Sequence, residues 1–90
     1  MKVLVVVDYQ KDFVNGALGF EGADKIDKGI AAKVLAKEYD ALVVTYDTHY
    51  PNYLETREGI QLPVTHCIQG TDGHKLFGET AKAVEEVEDK

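Results

Sequence analysis

The chain has 90 residues, 44% hydrophobic and 29% charged, with a net charge of −6 and a pI near 4.9. That size holds one small domain, and the composition is that of a folded globular protein. The acidic balance excludes a binder of nucleic-acid backbones, which needs a basic face. The longest strongly apolar run, Val3-Leu4-Val5-Val6-Val7, is far too short to cross a membrane. Met1-Lys2 before that run imitates a signal peptide. Asp8 ends the run too early for one, and no small-residue cleavage site follows. A single cysteine, Cys67, excludes an internal disulfide and suits the cytoplasm. There is no internal repeat, low-complexity tract or linker.

In chain order, the β-branched run from Val3 to Val7 predicts a strand buried on both faces, as in parallel sheets. Asp8 stands at its C-terminal end. Residues 9–22 contain Asn15-Gly16, Gly19 and Gly22 and read as a loop. Asp24 is placed to cap a helix over 24–38, with Ile26, Ile30 and Val34 on one stripe, widened by Ala31 and Leu35. Lys25, Lys28 and Lys33 line its other side. Residues 41–46 form a second apolar strand ending at Asp47. Strand, helix and strand make a right-handed βαβ unit with parallel strands. Asp8 and Asp47 therefore fall on the same rim, where open α/β sheets bind ligands. Residues 50–65 read as a long polar loop, with a turn at Thr56-Arg57-Glu58-Gly59. Gly70-Thr71-Asp72-Gly73 reads as the entry to a second helix, from about Lys75, with Leu76, Thr80, Val84 and Val87 inward and Glu85, Glu86, Glu88 and Asp89 outward.

Two short segments carry metal-ligand chemistry. Asp47-Thr48-His49 places an acid and a histidine at i, i+2, which share a side when the backbone is extended. His66 lies in the second segment. Aspartate and histidine bind Zn²⁺ and similar transition metals, so Asp47, His49 and His66 are a candidate ligand set. The plainer reading is a polar loop with two unrelated histidines. His74 reads as a surface residue, and Gln10 and Asp12 as loop-fixing hydrogen-bonders. Cys67 is not expected to act as a nucleophile with His66, because adjacent residues on an extended segment point apart. A strand, helix, strand, loop and helix also leave a two-stranded sheet with open edges, so the chain is expected to be incomplete as a folding unit. A nucleotide-binding alternative is weak, because no Gly-x-Gly-x-x-Gly follows the first strand.

Four ordered segments carry a resemblance. They are Val5-Val6-Val7-Asp8-Tyr9-Gln10-Lys11-Asp12-Phe13, Val43-Val44-Thr45-Tyr46-Asp47-Thr48-His49, Tyr53-Leu54-Glu55-Thr56-Arg57-Glu58-Gly59, and Leu62-Pro63-Val64-Thr65-His66-Cys67-Ile68-Gln69-Gly70-Thr71-Asp72-Gly73. In order and spacing the chain resembles the isochorismatase-like cysteine hydrolases, and within them the nicotinamidase-related amidases. The resemblance implies an α/β, parallel-sheet, three-layer Rossmann-like fold, of which residues 1–90 are the N-terminal portion of a single domain. It implies a Cys-Lys-Asp triad in which Asp8 is the catalytic acid; the family's Lys and Cys lie beyond Lys90. It makes Asp47, His49 and His66 metal ligands, with Glu55 the candidate for a fourth, and puts Phe13 in the substrate pocket. Zinc is the expected metal, with manganese or iron as alternatives. The implied activity is hydrolysis of a small amide such as nicotinamide to acid plus ammonia. Expected partners are the missing C-terminal half or a partner chain, and further copies in a homo-oligomer; nucleic acid and membrane are not expected. The alternative is a non-catalytic α/β fragment that self-associates or pairs with another chain and still binds metal.

Overall fold

Strands β1 (Val3–Val7) and β2 (Ala41–Thr45) pair in parallel, with Val3 opposite Ala41 and Val7 opposite Thr45. The structure, a computed structural model, describes residues 1–88. Asp89, read as part of an acidic helix face, lies outside them. The parallel pair bears out the βαβ reading, and Asp8 and Asp47 leave the sheet at the same edge. Pleating sends Leu4, Val6, Leu42 and Val44 to one face, where they join the core. Val3, Val5, Val7 and Val43 point the other way and stay exposed, Val7 to 66%. The strands are thus not buried on both faces. Among the described residues, helices pack on only one face of this sheet.

The loop expected over 9–22 contains one helical turn, α1 (Lys11–Val14). The glycines that marked a loop start at Gly16, so nothing before Asn15 breaks the turn. The helix expected over 24–38 is divided. A 3₁₀ turn, Ala23–Ile26, precedes α2 (Asp27–Ala36). Gly22, at φ 92°, takes the cap position expected of Asp24. Because a 3₁₀ turn has about 3.0 residues per turn, Ile26 falls out of phase with α2. The buried line is Asp27, Ala31 and Val34, while Ile26 and Leu35 are exposed and Ile30 is half-buried. Fully burying Val34 gives roughly 1.5–3 kcal/mol.

Residues 50–65 are more ordered than a polar loop. They hold a 3₁₀ turn, Tyr53–Glu55, and helix α3 (Arg57–Gln61). Thr56, read as part of a turn, is the α3 N-cap; its hydroxyl accepts the Gly59 N–H at 3.1 Å. A Cβ at Gly59 would run into the Tyr53 backbone, so this close approach needs glycine. Gly70-Thr71-Asp72-Gly73 leads only into a 3₁₀ turn, Asp72–His74. The long helix, α4, is Gly78–Glu88, and it buries Thr80, Ala83 and Val84 against α2. Leu76 is buried before that helix begins.

Asp27 joins the two long helices. Its carboxylate accepts the N–H groups of Glu79 and Thr80, each at 2.9 Å, and so caps α4 from α2. Burial by itself would raise its pKa; the Thr80 and Glu79 donors outweigh burial and hold it below the usual 3.8. A depressed folded pKa adds stability above the unfolded value and loses it as pH falls through the folded one. Asp27→Ala is expected to cost about 1–2 kcal/mol in urea unfolding at neutral pH, the range of a lost cap. That difference from wild type should shrink below about pH 4.

Candidate metal centre

The rim of the sheet is built by three segments. The first is the chain leaving β1. Asp8 adopts a left-handed conformation, φ 48°, which turns the backbone away from the sheet. Aspartate tolerates this region better than most residues. Thr45 at the end of β2 holds it there. The Thr45 hydroxyl accepts the Asp8 N–H at 3.0 Å and donates to Asp8 Oδ1 at 2.7 Å. Asp8 is half-buried, at the end of β1.

The second segment, residues 46–49, continues β2 in extended form. Tyr46 and Thr48 point to one side. Tyr46 stacks on the His74 ring at 5.4 Å, and the Thr48 hydroxyl bonds His74 Nε2 at 2.8 Å. His74 is therefore half-buried, not the surface residue expected. Asp47 and His49 point to the other side, as the i, i+2 argument requires. The third segment, 64–69, runs beside the second. His49 N–H donates to the Cys67 carbonyl at 3.0 Å, and Gln69 N–H donates to the His49 carbonyl at 2.7 Å. A parallel bridge between His49 and Ile68 results.

That bridge brings Asp47, His49 and His66 together, with one ligand atom from each within 4.8 Å of the others. Asp47 Oδ2 lies 3.0 Å from His49 Nε2 and 3.3 Å from His66 Nε2. Ligands about 2.0–2.1 Å from a tetrahedral zinc are roughly 3.3 Å apart, so the spacing suits such an ion. The remaining ring nitrogens are occupied. His66 Nδ1 lies 2.7 Å from the Val64 carbonyl, to which it donates, so Nε2 is the nitrogen that would face a metal. His49 Nδ1 faces Glu58 Oε2 at 3.4 Å. Histidines that bind metal are usually oriented in this way, by a carbonyl or carboxylate on the far nitrogen. Two imidazoles and a carboxylate suit zinc and are compatible with manganese or iron.

Tyr53 is buried against both histidines, with ring centroids 4.7 Å from His49 and 5.1 Å from His66. Its hydroxyl donates to the Leu62 carbonyl at 2.8 Å, which secures the loop between the two ligand segments. Phe13 meets the His66 ring edge-on at 5.6 Å. Glu55 is not brought to the cluster. It is exposed on the 3₁₀ turn, and the carboxylate nearest the ligands belongs to Glu58. The reason is Thr56: by capping α3 it starts a new helix whose phase brings the exposed Glu58 side chain beside His49.

Cys67 is fully buried and has φ 48°. Burial, with the nearby Asp47, Asp12 and Asp8 carboxylates, pushes its thiol up to about 12. Such a thiol is inert as a nucleophile near neutral pH. Asp12 Oδ2 accepts its N–H at 2.7 Å and holds the strained residue in place. A Cβ at Gly73 would collide with that same Asp12 carboxylate.

No protein-family model and no curated protein sequence matches the chain. Solved structures do. The nicotinamidase/pyrazinamidase PncA from Bacillus subtilis is 31% identical over 98% of this chain and 51% of its own, with a TM-score of 0.84. This chain belongs to the isochorismatase-like family, in its nicotinamidase-related branch. A second member, the pyrazinamidase/nicotinamidase from Streptococcus mutans UA159, is 28% identical over 100% of this chain and 52% of its own, with a TM-score of 0.83. The chain spans about half the length of these relatives. Its two-stranded parallel sheet and helices are part of the family's α/β fold. No helix among the described residues is long and apolar enough to cross a membrane.

Three residues at the centre escaped prediction from the sequence. Tyr53 and Glu58 lay in a stretch read as irregular, and Gln10 was read only as a loop-fixing group. The available signal was Thr56-x-x-Gly59, a threonine three residues before the amide it caps.

Proposed function

We propose that the chain supplies the metal centre and the catalytic acid of a nicotinamidase-like cysteine amidase, as the N-terminal portion of one isochorismatase-like hydrolase domain. The observation that carries this reading is the convergence of Asp47 Oδ2, His49 Nε2 and His66 Nε2, with each ring met by a second group on its far nitrogen. In this reading Asp47, His49 and His66 hold a divalent ion, zinc ahead of manganese or iron. When bound, that ion would supply Lewis-acid chemistry toward a pyridine-type amide such as nicotinamide. Phe13 packs against the substrate ring beside His66.

Asp8 is the proton carrier. Its carboxylate takes the proton of an attacking thiol; the thiolate adds to the amide carbonyl, and the C–N bond breaks as Asp8 returns the proton to the departing ammonia. Water then cleaves the thioester, giving the acid and regenerating the thiol. Cys67 is too deeply buried and too weakly acidic to be that thiol. The nucleophile and the triad's lysine come from sequence beyond these residues or from a partner chain. The exposed Val3, Val5, Val7 and Val43 face favours such a partner, which would also cover the free face of the sheet.

The test is ammonia release from a panel of small amides by the complete protein. Nicotinamide and pyridine-like carboxamides are expected to lead the panel. Absence of ammonia from every amide, in folded metal-loaded protein, would sink the reading.

A further inference from the structure

The backbone of Asp47 has an unusual partner. The β1–β2 ladder ends at Val7 and Thr45, because Asp8 turns the chain out of the sheet. Asp47 lies two residues beyond that end, where β1 no longer pairs with it. Gln10 fills the position. Its Oε1 accepts the Asp47 N–H at 2.8 Å, and its Nε2 donates to the Asp47 carbonyl at 2.9 Å. The second Nε2 hydrogen goes to the His74 carbonyl at 2.7 Å. The side chain is 0% exposed. A carboxamide is the one side-chain group that offers an acceptor and two donors on a planar end, so it can mimic a neighbouring strand.

We infer that Gln10 is a positioning residue for the metal centre: its carboxamide extends the sheet by one pair and keeps residues 47–49 extended, so that Asp47 and His49 face the ion together. The inference rests on the metal reading above. Its logic is the period-two geometry of a strand. If Asp47 relaxes from extended backbone, its carboxylate and the His49 ring no longer share a side. The third hydrogen bond adds a second anchor. It ties the same amide to the turn that carries His74, whose ring holds Thr48 between the two ligands. The segment that presents Asp8 also sets the ligand geometry, so acid and metal are aligned by one short stretch of chain.

The test reads Co²⁺ in place of Zn²⁺, by affinity and by its visible absorption band. Gln10→Glu keeps the size and the acceptor but loses both donors. It is expected to weaken Co²⁺ binding about 10–100-fold, the usual effect of losing an outer-shell partner, and to change the band. Asp27→Ala serves as the comparison, because it destabilises the fold away from the site. A merely structural glutamine would behave like Asp27→Ala, with a lower melting temperature and wild-type affinity and spectrum. That result in folded Gln10→Glu overturns the inference. If Gln10→Glu does not fold, Gln10→Asn decides by the same readouts, since it draws the same amide back by one methylene. Failure of wild-type protein to bind Co²⁺ would remove the metal reading itself, and this inference with it.

Discussion

Asp47→Ala is expected to leave the protein folded and strip it of stoichiometric metal. The fold should survive because Gln10 holds the Asp47 backbone, through its N–H and carbonyl, and not its carboxylate. The metal should not survive, because Oδ2 is the atom that both histidine Nε2 atoms approach. Changing outer-shell partners costs roughly 10–100-fold in metal affinity, and removing a direct ligand should exceed that. Metal content by atomic emission, on protein purified and dialysed in parallel with wild type, reads the outcome. Equal metal in the two proteins would dissolve the proposed centre. Two carboxylates sharpen the comparison. Glu55→Ala should leave metal content unchanged, since Glu55 is exposed away from the ligands, and Glu58→Ala should weaken binding by loosening His49.

Much of this centre was readable before any coordinates. Two apolar runs separated by one helix length imply parallel strands, and parallel strands place Asp8 and Asp47 on one rim whatever their side chains do. The i, i+2 spacing of Asp47 and His49 needed only an extended backbone. His66 was harder. Its approach depends on the bridge from His49 to Ile68 and on the Tyr53 hydroxyl reaching the Leu62 carbonyl, neither of which follows from local spacing. Glu55 lies outside the converging ligand atoms for a local reason. Both glutamates sit exposed in the same short stretch, and the Thr56 cap is what sets Glu58 beside His49 Nδ1.

The sheet's burial was misread for a different reason. An unbroken apolar run says that a strand is apolar on both sides, not what covers each side. Leu4 and Val6 join the core shared with α2 and α4, while Val3, Val5 and Val7 stay exposed. The helix stripe slipped because a 3₁₀ turn precedes α2, and periodicity alone does not separate a 3.0-residue turn from a 3.6-residue one across four residues. Asp27 was missed altogether. Its role as a cap on α4 joins residues 52 apart in sequence, and no motif encodes that.

Asp8→Asn in the complete protein tests the proposed catalytic role most directly. Asparagine tolerates the left-handed conformation that Asp8 adopts at φ 48°, so the turn out of β1 should persist. Its side-chain oxygen can still accept the Thr45 hydroxyl, and the backbone bonds to Thr45 are untouched. The change therefore isolates proton transfer from structure. General acid–base groups contribute about 10²–10⁴-fold to rate, and ammonia release from nicotinamide should fall by that much. Metal content should remain that of wild type, because Asp8 is not among the converging ligand atoms. The two variants thus separate the functions of one rim: Asp47→Ala loses metal, and Asp8→Asn keeps metal but loses turnover. Turnover within a few-fold of wild type in Asp8→Asn would mean that the carboxylate only braces Thr45, and that another group carries the proton.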